Sequence, residues 1–231
     1  APSGAPPRLS GRFDLDDGSV IARLERFSIN SPQRNLLPSA LRAWWDRYEP
    51  SGSLSTVTFE YNPDPSVGLN ALVELKGAAL SLPQTEPATR LESVTGRIEI
   101  RNNVIWPQLK CVVRHRQPRF NADCEISGWI RGLERDAPYE LSLLARGRVP
   151  ANDGRTSRDV PWEDLPGVSK VVNWIFHRFA PQGRFDASLR LARGPDGTPP
   201  TSVRGTVNLT GDGQFSLFPY PLRGVNARLR L

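Results

Sequence analysis

Two stretches of this chain are versions of one another: Leu37 to Gly52, LPSALRAWWDRYEPSG, and Leu165 to Gly183, LPGVSKVVNWIFHRFAPQG. Each opens on Leu-Pro, carries apolar residues at helical spacing through a tryptophan, and closes on Pro-x-Gly before an alternating run. The text that follows each also runs in step. Gly52-Ser-Leu-Ser-Thr-Val corresponds to Gly183-Arg-Phe-Asp-Ala-Ser, and Val94-Thr-Gly-Arg-Ile-Glu-Ile to Val225-Asn-Ala-Arg-Leu-Arg-Leu, about 131 positions on in both cases. A repeat of this kind limits the fold more than composition does, because each copy has to bury the same face in the same way. The chain is therefore read as two units of one continuous sheet, residues 1–130 with a helix near 38–48 and residues 131–231 with a helix near 166–179.

Outside those two stretches the hydrophobic period is two. Val57, Phe59 and Tyr61 share a face, as do Leu69, Ala71, Val73 and Leu75, with Asn70, Glu74 and Lys76 opposite and Leu72 the apolar exception. Val94, Gly96, Ile98 and Ile100 continue the pattern, and Phe185, Ala187, Leu189 and Leu191 repeat it, followed by Val203, Gly205, Val207 and Leu209. Alternation over this length means one apolar face and one wetted face, which antiparallel sheets support and doubly wound parallel sheets do not. The expectation is an all-β protein, an elongated, curved antiparallel sheet forming an open apolar groove, with two short amphipathic helices. Asp16-Asp17-Gly18 between two alternating runs marks a hairpin. Asn62-Pro-Asp-Pro, Gly194-Pro-Asp-Gly and Gly211-Asp-Gly read as further turns, and the last strand as Val225 to Leu231. The proline-broken run Leu217-Phe-Pro-Tyr-Pro-Leu222 reads as a sheet edge or a crossing loop.

On the first helix Leu37, Leu41, Trp44 and Tyr48 form one stripe, and on the second Val168, Val171, Val172, Ile175 and Phe179 do so. Arg42 and Arg47 are balanced by Asp46 and Glu49, which favours a helix packed on a sheet over one lying on a membrane surface.

The register of one hairpin is legible residue by residue. With its tip at Gln117-Pro118, Leu109 faces Ile126, Cys111 faces Cys124, Val113 faces Ala122 and His115 faces Phe120. A slip of one residue would oppose Cys111 to Asp123 or Glu125, so the pairing is well specified. The cysteines then meet across the hairpin, either as a cross-strand disulfide or as two buried thiols.

The net charge of +6 rests on 30 Lys and Arg against 24 Asp and Glu. Lysine occurs only at Lys76, Lys110 and Lys170, and the arginines are spread over the polar positions of many strands. A nucleic-acid surface gathers its cations into one stripe interleaved with aromatics, so no nucleic-acid partner is expected. Catalytic and metal signatures are also missing. Gly167-Val-Ser-Lys-Val lacks the second glycine of a nucleophile elbow, and His115 and His177 with two cysteines thirteen positions apart make no zinc pattern. Asp14, Asp16 and Asp17 lack the distal glutamate of a calcium loop. The chain is not expected to be an enzyme or to hold a metal or cofactor.

The helix with its Pro-x-Gly exit, set among short one-sided strands, resembles the AsmA-like family of Gram-negative envelope proteins, including its TamB-type, bridge-like members. The residues that carry the resemblance are Trp45 to Gly52 with Gly77 and Val94-Thr-Gly96, and Trp174 to Gly183 with Gly211 and Phe218-Pro-Tyr-Pro-Leu222-Arg-Gly224-Val225. It implies a sheet bent into an apolar-lined groove that carries phospholipid acyl chains between inner and outer membranes in the periplasm. The groove would be lined by Val57, Phe59, Leu69, Ala71, Val73, Leu75, Ile98 and Ile100 from the first unit and by Leu189, Leu191, Val207 and Leu209 from the second. With no methionine and with ends in a Pro-rich run and inside a strand, the sequence reads as a fragment. Its targeting segment and membrane anchors are expected outside it, and the segment itself is expected to be monomeric. The rival readings are a structural or adhesive β-repeat whose apolar faces pack on each other, and a basic module for nucleic acid or anionic glycans.

Overall fold

The structure is a computed structural model, and it describes residues 6–29, 34–35, 42, 45–46, 49–64, 69–82, 89–116, 119–132, 137–149, 182–194, 202–214 and 221–230. These form one antiparallel sheet of eleven strands in which each strand pairs only with its neighbours in sequence. The strands are β1 (Arg8–Phe13), β2 (Val20–Ile29), β3 (Gly52–Tyr61), β4 (Leu69–Leu82), β5 (Thr89–Arg101), β6 (Val104–Arg116), β7 (Arg119–Arg131), β8 (Tyr139–Val149), β9 (Gln182–Arg193), β10 (Ser202–Gln214) and β11 (Pro221–Arg230). The all-β antiparallel class follows from the alternation, because opposed residues in an antiparallel ladder share a face and a period of two keeps that face apolar along every strand.

The connections fall at two edges of the sheet. Residues 14–19, 62–68, 102–103, 132–138 and 194–201 join strands at what we call the lower edge, and 30–51, 83–88, 117–118, 150–181 and 215–220 do so at the upper edge. Both long connections therefore leave and re-enter at the same edge. The strands after them begin at 52, 69 and 89 in the first case and at 182, 202 and 221 in the second, an offset of about 130 positions. Residues 1–130 and residues 131–231 both contribute strands to this single sheet.

Of the expected helices, the one near 166–179 lies outside the described residues. In the one near 38–48, Arg42, Trp45 and Asp46 are helical, the Glu49 N–H donates to the Trp45 carbonyl at 2.8 Å, and the rest of the stretch lies outside the described residues. Arg34 forms an ion pair with Asp46. The exit of this connection is tied to the sheet: Ser51 pairs with Ala79, the Ser81 hydroxyl donates to Glu49 at 3.2 Å, and the Arg90 guanidinium donates to the Ser51 hydroxyl at 3.0 Å.

The hairpin of β6 and β7 has the register that the apolar pattern demands, pairing Leu109 with Ile126, Cys111 with Cys124, Val113 with Ala122 and His115 with Phe120. One reading needs correcting. Gly211-Asp-Gly is not a turn; β10 runs through it to Gln214, with a register shift against β11 between Gly211 and Gly213. Glycine inside a strand pattern marks a bulge as readily as a turn, and here it is a bulge. The turn that sequence reasoning passed over is Asn102-Asn103, whose φ angles of 49° and 59° make the tight two-residue connection between β5 and β6.

Pro107 lies inside the central strand β6, where proline would normally break a ladder. The β6–β7 ladder is interrupted there, between Ile105 with Ile130 and Gln108 with Ser127, so the missing N–H falls at a gap in the pairing.

Candidate functional site

The ladder register places the alternating apolar positions of the eleven strands on one face, while Leu72, Trp106 and Leu144 fall on the other. One row across the strands runs Ala22, Phe59, Ala71, Ile100, Ile105, Ile130, Tyr139 and Arg193. A second runs Leu24, Val57, Val73, Ile98 and Pro107. A third joins Leu54, Leu75, Gly96, Leu109, Ile126, Leu143, Leu189 and Gly205. Val207 stands opposite Ala187, Leu209 opposite Phe185, and Leu191 opposite Leu141. Leu69 pairs with Tyr61 at the start of β4. All twelve expected lining positions thus share a face, but as two groups at opposite ends of the sheet. Seven inter-strand steps separate β3 from β10, roughly 34 Å along a flat sheet. The residues that join the groups, Leu109, Ile126 and Leu143 among them, carry the same alternation that revealed the twelve.

The face divides into two zones along the strands. Toward the upper edge Ala78, Leu91, Val94, Cys111, Ala122, Cys124 and Ala145 form a buried cluster, with Val94 at 0 % exposure. Leu75, Leu80, Leu109, Val113, Ile126 and Phe185 pack against it. Toward the lower edge Val73, Ile98, Ile100, Ile105, Ile130 and Leu141 are half-buried, with Pro107 buried among them. Among the described residues no second sheet faces either zone.

Cys111 and Cys124 are buried free thiols, facing one another as the register requires. Their mutual hydrogen bond, with burial adding to it, pushes the Cys124 thiol up from its ordinary value of 9.0, and the same hydrogen bond lowers that of Cys111.

The opposite face is polar and laced with ion pairs: Lys110 with Glu125 at 3.2 Å, Arg114 with Glu92 at 3.0 Å, Arg146 with Asp186 at 3.2 Å, and Arg190 with Glu140. Such pairs are solvent-screened and contribute little stability each. Their spacing shows how the dispersed arginines are used, each alternating strand placing its charge beside that of a neighbour. A shallow trough of about 810 Å³ crosses this face from β5 to β10. Its lining includes Thr95, Gln108, Ser127, Ser142, Ser188 and Arg204. Sequence reasoning did not foresee a depression on the polar side, because the curvature of a sheet is set by its bulges and twist and not by which face is apolar. Trp106 and Leu144 are also exposed on this face.

Among the described residues no cluster of three or more His, Cys, Asp or Glu could hold a metal ion, and no helix is long and apolar enough to cross a membrane. Comparison of the chain with protein-family models, with curated proteins and with solved structures gave no match. What this arrangement can do chemically is to offer a wide apolar surface with half-buried aliphatic side chains along its lower zone, which suits a ligand bound by contact and dehydration.

Proposed function

We propose that this chain is a lipid-carrying segment whose apolar face forms an open groove for phospholipid acyl chains, in the manner of AsmA-like bridge proteins of the periplasm. It would be monomeric along this stretch and anchored to membranes through segments beyond it. The observation that carries the reading is the continuity of the apolar face: the register carries it across all eleven strands, and its lower zone remains half-buried. A contiguous apolar surface of this extent marks a binding site in proteins that work in water. Acyl chains need no directed polar contact, which accounts for a face without catalytic or metal-binding chemistry. The ion-paired polar face would stay in water.

The test uses photo-crosslinking residues in cells followed by lipid analysis of the products. Probes at Val73, Ile98 and Val207 are expected to capture phospholipid, whereas probes at Asn70, Glu74 and Arg190, on the other face, are not. Val73→Asp and Val207→Asp should block lipid passage, since an unpaired charge meeting a passing acyl chain costs roughly several kcal/mol. Equal labelling of both faces, or none on either, would leave the structural β-repeat as the better account.

A further inference from the structure

The trough on the polar face has a composition of its own. Short hydroxyl side chains, Thr95, Ser127, Ser142 and Ser188, line it and are exposed. The long side chains of Lys110, Arg190 and Arg204 line it too, so the depression lies where short residues stand among long ones.

Three observations bear on what it fits. The first is charge. Of the three cations lining the trough, Lys110 pairs with Glu125 at 3.2 Å and Arg190 with Glu140. A polyanion such as a nucleic acid is held by cations in excess, and here carboxylates stand beside most of them. The second is hydrogen-bonding type. A hydroxyl both donates and accepts, and Gln108, whose amide oxygen accepts from Arg97 at 2.9 Å, keeps its amide N–H groups for a ligand. Such a surface matches a ligand whose own groups do both, as sugar hydroxyls do. The third is an aromatic platform. Trp106 is 44 % exposed on this face and lies two residues before Gln108 on β6, which sets it against the trough. The β6–β7 register carries Trp129 opposite it, with the Arg131 guanidinium carbon 5.9 Å from the Trp129 ring centroid. Trp106 thus presents an indole whose flat apolar face and N–H suit the C–H face and hydroxyls of a sugar ring. Leu144, also exposed, adds an apolar contact within the trough.

We propose that the trough is a binding site for an extended, uncharged, β-linked oligosaccharide that lies across the strands with one ring against Trp106. Length supports this. Five inter-strand steps from β5 to β10 cover roughly 24 Å, and the polar groups recur once per strand, a spacing close to the advance of one ring along such a chain. The site is on the face opposite the acyl-chain groove, so it stands or falls independently of that reading.

The experiment titrates the chain by calorimetry with cellohexaose and chitohexaose as uncharged β-linked probes, and with an oligothymidylate as a phosphate-bearing one. Wild type should bind at least one of the two hexasaccharides, with an affinity that salt leaves unchanged. Trp106→Ala should weaken that binding roughly tenfold, and Trp106→Phe should keep most of it. Ser142→Arg, which puts a long side chain at an exposed position inside the trough, should abolish it. Circular dichroism checks each variant, and Ser142→Arg decides if Trp106→Ala fails to fold. Failure of the wild-type chain to bind either hexasaccharide overturns the site, as does binding that neither Trp106→Ala nor Ser142→Arg weakens. Salt-sensitive binding of the oligothymidylate, tighter than that of the hexasaccharides, overturns the assignment to sugar in favour of nucleic acid.

Discussion

The two zones of the apolar face share strands, alternation and ladder, and yet differ in what they do with their side chains. In the upper zone small residues, Ala78, Val94, Cys111, Ala122, Cys124 and Ala145, expose less than a tenth of their surface. In the lower zone larger ones, Ile98, Ile100, Ile105, Ile130 and Leu141, remain half-buried. Small side chains let neighbouring mass come close to the backbone, and bulky branched ones stand clear of the pleat and present their flanks. The difference teaches that a one-sided pattern specifies which face is apolar but not where along that face the side chains are packed. We take the packed zone as the source of stability and, in the proposed function, the open zone as the place where acyl chains would bind.

The sharpest way to break this division is to put the same charge in each zone. Val94→Asp should cost about 4 kcal/mol or more, because the carboxylate has neither water nor a partner. Val73→Asp, whose side chain reaches the half-exposed zone, should cost about 1–2 kcal/mol. Urea denaturation of the two variants checks this, and equal losses would dissolve the distinction between zones.

Next in size is a backbone test. Gly96 has φ of +119°, and a Cβ there would lie 2.1 Å from the Gln108 carbonyl oxygen of the neighbouring strand. Gly96→Ala should destabilise by about 3 kcal/mol, with the ladder between β5 and β6 opening first in hydrogen exchange. A neutral substitution would mean that this close approach is not held in solution.

Thiol chemistry sharpens the comparison without altering the core. Native Cys111 and Cys124 should react with a disulfide reagent roughly a hundredfold more slowly than in the unfolded chain, while a probe cysteine at Ile98→Cys reacts readily. The raised pKa of Cys124 has a sign that can be checked. Its neutral form is favoured on folding, so the stabilisation is fully present below the ordinary thiol value of 9.0 and is lost as pH rises toward the higher folded value.

The smallest effects belong to the polar face and the turns. Leu144→Asn, at an exposed outer position, should stay within about 0.5 kcal/mol of wild type. At the β1–β2 turn the Ser19 hydroxyl and N–H hold the Asp17 carboxylate below its ordinary value of 3.8. That contribution is present above 3.8 and lost as pH falls through the lower folded value, with a shift of the Ser19 amide resonance as the readout. A resonance that moved above pH 3.8 would show the Asp17 contact to be absent.

Much of this was readable from the residues. The alternation alone determined the all-β class, the antiparallel pairing and the membership of the apolar face, because a period of two leaves no other assignment that keeps polar side chains in water. In the β6–β7 hairpin it also determined the register, down to the meeting of Cys111 and Cys124. Only the tertiary structure decided the rest. Gly211 makes a bulge and Asn102-Asn103 a turn because glycine and asparagine tolerate several backbone conformations, and the neighbouring strand selects among them. Arg193 falls on the apolar face beside Tyr139 because β8 and β9, separated in sequence by a long connection, are set side by side in one register. The contrast between packed and open zones, and the trough on the polar side, depend on how eleven strands twist and bend together, which is a property of the whole sheet and of no single run of residues.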